Sequence, residues 1–238
     1  MFQERTYRSK TAAPDLIGFE VVVKETDLFI LAEKGLKEAT TTAVLKYRHQ
    51  LEDYIAKDPE FQTTLVPYPV SDFAPQLVKN MAHAAQLANV GPMAAVAGAI
   101  SDFVAKELAG KTDELIIENG GDIFIQTKKP RRVLVYAGTS PFSEKVAIEI
   151  APEQTPCGVC SSSGTVGHSL SFGKADAVTI LATTATLADA VATAVGNIIK
   201  EPNDINTGIE FAQKIEGVFG ILIIIQDKLG VWGSIKLT

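Results

Sequence analysis

The sequence predicts an α+β fold, with antiparallel sheets and helices packed on one face. Three observations carry that expectation. Short β-branched runs recur without regular helical crossovers between them. The helical patterns gather in two places, residues 36–109 and 186–215. Turn residues, above all Gly, Pro, Asn and Asp, separate the strand-like runs. With 238 residues, 46% of them hydrophobic, the chain can bury a large core as one domain or as two small ones.

Taken in order, residues 19–23 and 28–31 read as a hairpin around Lys24-Glu25-Thr26-Asp27. From Leu36 to Ile55, apolar Leu36, Val44, Leu45, Leu51 and Ile55 fall at helical spacing until Asp58-Pro59 stops the run. Pro67, Pro69 and Pro75 punctuate an irregular stretch, and Leu77 to Ala109 follows as two helices broken at Gly91-Pro92. The second contains Ala94, Ala95, Ala97, Gly98 and Ala99, so another backbone or a ligand can approach its first turns closely. Residues 114–118, 122–126, 133–136 and 145–150 read as short antiparallel strands. A Gly/Ser-rich segment over 157–173 precedes a strand at 177–181, a helix at 186–199 and a short helix at 209–215. Strands 218–226 and 231–237 close the chain around Asp227-Lys228-Leu229-Gly230. Strands, helices, strands thus occur twice, in a first unit over 1–150 and a second over 151–238, packed together as one globule.

Formal charge is −6, with no block of five like charges, and duplex nucleic acid wants a basic face. Nucleic acid is therefore not an expected partner. Lys128-Lys129 and Arg131-Arg132, flanking Pro130, read as a solvated hairpin turn. Met1 to Arg8 has no apolar stretch of the secretory kind. Val218 to Ile225, the greasiest run, falls far short of the ~20 residues of a spanning helix, so no membrane is expected either. Two cysteines are too few for a disulfide framework, which points to a reducing compartment, the cytoplasm.

Four segments can carry chemistry. Asp189 and Thr193, four apart on a helix, put a carboxylate and a hydroxyl on one face, with Asn197 continuing the stripe. Such hard oxygens suit Mg²⁺, which completes its octahedron with waters and substrate phosphates. The competing expectation makes Asp189 a helix cap or first-turn acid and Thr193 a packed residue. Ser161-Ser162-Ser163-Gly164-Thr165-Val166-Gly167-His168 is a dense set of small donors able to wrap an anion, or a plain flexible loop. His168 can bind phosphate, transfer a proton or hydrogen-bond locally. Asn119-Gly120-Gly121-Asp122 lies between two strands, where it reads as a type I′ turn or as a place of close ligand approach. Cys157 and Cys160 have redox or metal spacing but no second cysteine pair.

The order of these segments resembles the ApbE-like superfamily, whose characterised enzymes move FMN from FAD onto a Ser or Thr of a target protein. Val96-Ala97-Gly98-Ala99-Ile100-Ser101-Asp102 comes first, then Asn119-Gly120-Gly121-Asp122-Ile123, then Ser162-Ser163-Gly164 with His168, then Ala188-Asp189-Ala190-Val191-Ala192-Thr193-Ala194. The resemblance implies that Asp189 and Thr193 hold Mg²⁺ against a pyrophosphate. It also implies that Asn119 to Asp122 and Ser162 to Thr165 line a pocket for FAD or another phosphate-bearing nucleotide, with Asp189 and His168 as the catalytic pair. A duplicated strand-strand-helix-helix-strand-strand unit, a T-fold, and a protein target are implied as well. Over the whole chain the sequence is nearer to a subfamily with no assigned reaction, through Glu25-Thr26-Asp27-Leu28, Ser161 to Gly167 and Ser169 to Ala177.

Three departures stand against the transferase pattern. The Met-Gly-Thr-like first strand is not visible, Ser101 stands near the place of a lysine, and a His-Ile-x-Asp-Pro-x-Thr-Gly segment shrinks to His168-Ser169-Leu170-Ser171-Phe172-Gly173. The expectation is a Mg-dependent flavin- or nucleotide-handling protein, with transferase or pyrophosphate-cleaving chemistry. The alternative is a non-catalytic ligand-binding or assembly protein on the same fold. A homo-oligomer is compatible with either.

Overall fold

The computed structural model describes residues 13–165 and 172–238. Strands β1 (Ile17–Val23) and β2 (Thr26–Ala32) form the expected hairpin, and helices α1 (Lys37–Lys57), α2 (Glu60–Thr63), α3 (Gln76–Ala88) and α4 (Val96–Leu108) follow. Next come β3 (Leu115–Asn119), β4 (Asp122–Gln126), β5 (Arg131–Leu134), β6 (Ala147–Ile150), β7 (Cys157–Ser162) and β8 (Ala177–Ala182). The chain continues through α5 (Ala185–Ile198), α6 (Ile205–Gln213), β9 (Val218–Ile225), β10 (Lys228–Gly233) and β11 (Lys236–Leu237). Eight strands form one sheet in the order β1-β2-β3-β4-β7-β8-β9-β10, and β11-β6-β5 form a second, smaller one. Every pairing is antiparallel.

Strand alternation sorts the core into two layers. Ile221, Ile223 and Ile225 of β9, with Val178, Ile180 and Ala182 of β8, pack in the cluster that holds the buried faces of the helices. Leu222, Ile224, Ala177 and Leu181, the residues between them, pack instead with Ile148 and Ile150 of β6. The uninterrupted apolar run of β9 follows from this double coverage, because a strand buried on both faces has no polar side. The helices occupy one face of the large sheet, as expected, and the small sheet covers the other.

Helix α1 shows how little stripe is needed: Thr40, Ala43, Val44, Tyr47 and Leu51 are its buried residues, at helical spacing. Helix α5 is different. Every residue from Ala185 to Ala192 is buried, so this helix is enclosed by its neighbours rather than laid on the surface.

Four local expectations change. Residues 157–162 form strand β7, paired with β4 on one side and β8 on the other, where the composition suggested a loop. Small residues are required there: a Cβ on Gly158 would stand 2.4 Å from the Cα of Ala185, so α5 rests directly on the strand. The last hairpin turns earlier than expected, with Lys228 already paired to Ile225. The end of the chain leaves that hairpin, and Lys236-Leu237 pairs with β6. Finally, the basic cluster is only partly solvated. Lys128 and Lys129 are exposed, but Arg131, 10% exposed, pairs with buried Glu114 and with Asp15. Its neutralising role is structural, since a carboxylate buried without a partner is costly.

Candidate functional site

The Asn119-Gly120-Gly121-Asp122 segment forms the turn expected of it. It is a two-residue hairpin turn between β3 and β4, with Asn119 paired to Asp122 and φ of 69° and 104° at the two glycines, as a type I′ turn demands. Glu118 Oε1 accepts from the Gly121 amide at 2.9 Å, which fixes the turn. Because the strands end there, Asp122 is delivered inward and buried. Asn119 Nδ2 donates to the Ala97 carbonyl at 3.1 Å, tying the hairpin to the start of α4.

Asp189 arrives from α5. It is not the cap of its own helix: Thr184 holds that position, its side chain accepting from the Leu187 amide at 3.1 Å. Asp189 Oδ2 instead accepts from the Gly98 amide at 2.9 Å, at the start of α4. The close approach that the alanine-rich sequence allowed is therefore to another backbone. A Cβ on Gly98 would lie 2.1 Å from the Ala185 carbonyl oxygen.

Asp122 and Asp189 thus meet in one buried region. Burial raises the Asp122 carboxyl well above its ordinary range, and the charge of Asp189 raises it further. Asp189 is also raised, by burial first and by the charge of Asp102, against the opposing bonds from the Gly98 and Ala97 amides. The groups that act most strongly on the two carboxyls include no cation. Carboxylates in such a place stay protonated, or they bind a cation. Among the described residues no cluster of three or more His, Cys, Asp and Glu side chains forms a metal cage. The two carboxylates are hard oxygen donors, the kind of ligand that could hold a cation such as Mg²⁺.

The serine segment comes to the same place from the far side. The Ser161 amide bonds to Asp122. Beyond Ser162, Gly164 donates to the Ala175 carbonyl at 2.9 Å, and Thr165 Oγ1 donates to Asp176 at 3.1 Å while its amide bonds Ser163 Oγ. Gly173 lies against Gly196 of α5 with no room for a side chain. The loop is thus stacked on the same helix that carries Asp189 and, one turn later, half-buried Thr193. Asn197 is engaged elsewhere, its Oδ1 accepting from the Phe172 amide at 2.9 Å. His168 lies outside the described residues. Ser101, near the place of the transferase lysine, is buried and donates to the Ala97 carbonyl of its own helix.

A cavity of 530 Å³ adjoins this region. Thr26, Arg48, Glu52, Ile100 and, at the end nearer the aspartates, Ala97 and Asn119 are among the residues that line it. Arg48 is held by Thr26 at 2.7 Å, Glu25 at 2.6 Å and Glu52 at 2.8 Å. The Glu25-Thr26 turn was a sequence hallmark, but nothing in its spacing connected it to Arg48.

The two cysteines do not act together. Cys160 lies in the helix-side layer, with Sγ 3.3 Å from the Ala185 carbonyl, and Cys157 faces the small sheet. Burial pushes the Cys157 thiol up to about 12, and burial with the nearby aspartates raises Cys160. Iodoacetamide is expected to leave both thiols unmodified in the native protein and to label both in denaturant, as read by mass spectrometry. Rapid native labelling of either would contradict that burial.

A family model described as AbpE bacteria matches residues 9–216. The chain belongs to this AbpE family. Proteins similar to it include a UPF0280 protein of Methanocaldococcus jannaschii, 42% identical over 221 residues that cover 90% of each chain. A UPF0280 protein of Methanothrix thermoacetophila is 45% identical over 200 residues, 83% of this chain and 84% of the relative. Among solved structures, the flavin transferase ApbE from Vibrio cholerae superposes with a TM-score of 0.63 at 14% identity, covering 92% of this chain and 97% of that one. The apo flavinyl transferase ApbE of Pseudomonas stutzeri gives 0.60 at 12% identity, covering 92% and 94%. At those identities the likeness is one of fold. The chain thus has the ApbE fold and falls, by sequence, with the UPF0280 proteins. Among the described residues no single helix is long and apolar enough to cross a membrane.

Proposed function

We propose that the protein binds a flavin or another phosphate-bearing nucleotide through Mg²⁺ held at Asp189. The observation that carries this reading is the pair of buried aspartates, Asp122 and Asp189, whose strongest influences include no cation. In it, the Asp189 carboxylate and the Thr193 hydroxyl hold the ion, and Asp122 adds negative charge beside them. Ser162, Ser163, Gly164 and Thr165 face the phosphates, with Asn119, Gly120 and Gly121 along the other wall. The 530 Å³ cavity has room for the organic part of the ligand, within the usual range for small-molecule sites. Mg²⁺ bound there would neutralise charge developing on a pyrophosphate oxygen. Asp189 orients the ion, and His168 supplies or removes a proton. The likeness to flavin transferases supports a flavin as ligand and a protein as target, and the two free thiols suit the cytoplasm.

Calorimetric titration with FAD, FMN and pyrophosphate, with and without Mg²⁺, tests the reading. Asp189→Ala is expected to remove the Mg²⁺-dependent share of binding, at least tenfold in affinity. Mg²⁺-dependent binding that survives the substitution would overturn it. A second reading, binding without group transfer, is favoured by Ser101, which is committed to the Ala97 carbonyl instead of facing a ligand. Product analysis separates the two: transfer leaves AMP and a modified protein, and binding alone returns the nucleotide intact.

A further inference from the structure

We propose that Asp102 is a positioning residue for Asp189, acting through reciprocal caps between α4 and α5. Its carboxylate reaches across to the first turn of α5. There it accepts from the Ala185 amide at 3.0 Å, the Thr186 amide at 2.8 Å and the Thr186 hydroxyl at 2.6 Å. Asp189, one turn further along α5, reaches back to the Gly98 amide in the first turn of α4 at 2.9 Å. Each helix therefore satisfies amides that the other cannot satisfy itself, since the first turn of a helix has no internal acceptors. For α5 the set is complete: Asp102 takes Ala185 and Thr186, the Thr184 side chain takes Leu187, and the Thr184 carbonyl takes Ala188. No amide of that first turn is left for an external anion, so the role of Asp102 is internal.

The packing explains why such a clamp matters. Ala185 is gripped between Gly98 of α4 and Gly158 of β7, contacts that set how deeply α5 sits. They set its rotation poorly, because glycine offers no side chain to lock against. Rotating α5 by about 20° would carry a side-chain group about 2 Å around the helix axis, enough to separate Asp189 from Gly98. The two-pronged grip of Asp102 on consecutive amides resists that rotation. This inference rests on the metal role proposed for Asp189, but its geometry can be tested without metal.

The test compares Asp102→Asn with Leu108→Ala, a cavity-forming change at the far end of α4, in the full chain. Two quantities are read: Mn²⁺ affinity by electron paramagnetic resonance, and hydrogen exchange of the Gly98 amide. Asp102→Asn is expected to weaken Mn²⁺ binding about tenfold, a usual effect of removing an outer support. It should also speed Gly98 exchange about tenfold, although the partner of that amide is Asp189 and not Asp102. Leu108→Ala should lower the melting temperature and move neither. If Asp102→Asn does not fold, Thr186→Val removes one of the three bonds and is expected to shift Gly98 exchange in the same direction. Unchanged Gly98 exchange in the folded variant, or an equal change in Leu108→Ala, overturns the proposal. If the parent protein binds no Mn²⁺, the metal reading fails by itself, and Gly98 exchange still decides the role of Asp102.

Discussion

Gly98→Val will lower the melting temperature by about 10 °C or leave the protein unable to accumulate in folded form. Two opposing effects decide the sign. Replacing glycine inside a helix gains up to about 1 kcal/mol from backbone entropy. Against it, the new Cβ would stand 2.1 Å from the Ala185 oxygen and 2.5 Å from its carbonyl carbon. Both are main-chain atoms of a helix fixed on its other side by Gly158, so neither can turn away. Overpacking of this kind costs about 1–3 kcal/mol or more. Forcing the helices apart also strains the bonds that backbone amides donate to Asp102 and Asp189, each worth about 0.5–1.5 kcal/mol. A net loss of about 3 kcal/mol corresponds to the stated shift for a chain of this length. Thermal unfolding followed by circular dichroism measures it. A variant melting with the parent would mean that α4 and α5 do not meet at this glycine.

Asp122→Asn will make the metal-free protein more stable by about 1 kcal/mol, while weakening Mg²⁺ binding tenfold or more. Burial and the neighbouring Asp189 both disfavour the ionised Asp122. Its folded pKa lies above the unfolded value, so the unfolded chain releases this proton first as pH rises. Stability is then present below the unfolded value and is lost as pH climbs toward the raised one. An amide keeps an acceptor for the Ser161 amide and never ionises, so that loss should shrink in the variant. Mg²⁺ reverses the order, because an ion that binds only the folded state stabilises it by mass action. Melting curves over a pH series, with and without Mg²⁺, test both halves. A variant less stable than its parent without metal at neutral pH would show that the acidic pair is not a source of repulsion.

How much of this was legible beforehand depends on the distance over which each feature is encoded. Asp189 and Thr193 are one turn apart on a single helix, and the Asn119 to Asp122 turn is four consecutive residues, so local periodicity was sufficient for each. Their meeting depends on β4 pairing with β7 in the centre of an eight-stranded sheet, a long-range event that no local pattern records. Strand β7 was hidden because Cys-Gly-Val-Cys-Ser-Ser has the composition of a loop. Its glycine is there for α5, which lies 27 residues further on, at Ala185. The two-residue strand β11 is continuous in pattern with the preceding strand, since Lys236 and Leu237 take their direction only from β6. Asp102 was visible as a residue of the helix-start motif, but an acid six residues into a helix carries no signal that it caps a different one. Arg131 is indistinguishable from its basic neighbours in the sequence for the same reason: its partners, Glu114 and Asp15, come from distant stretches of chain.

The placement of the two thiols has a use of its own. Cys157 and Cys160 are three residues apart, yet one looks into the layer beneath the small sheet and the other into the layer that contains the aspartates. The protein therefore carries a natural reporter for each side of its central sheet. A fluctuation that lifts the helices would unmask Cys160 alone, and one that lifts the small sheet would unmask Cys157 alone. Simultaneous unmasking would mean that the two layers open as a single cooperative unit.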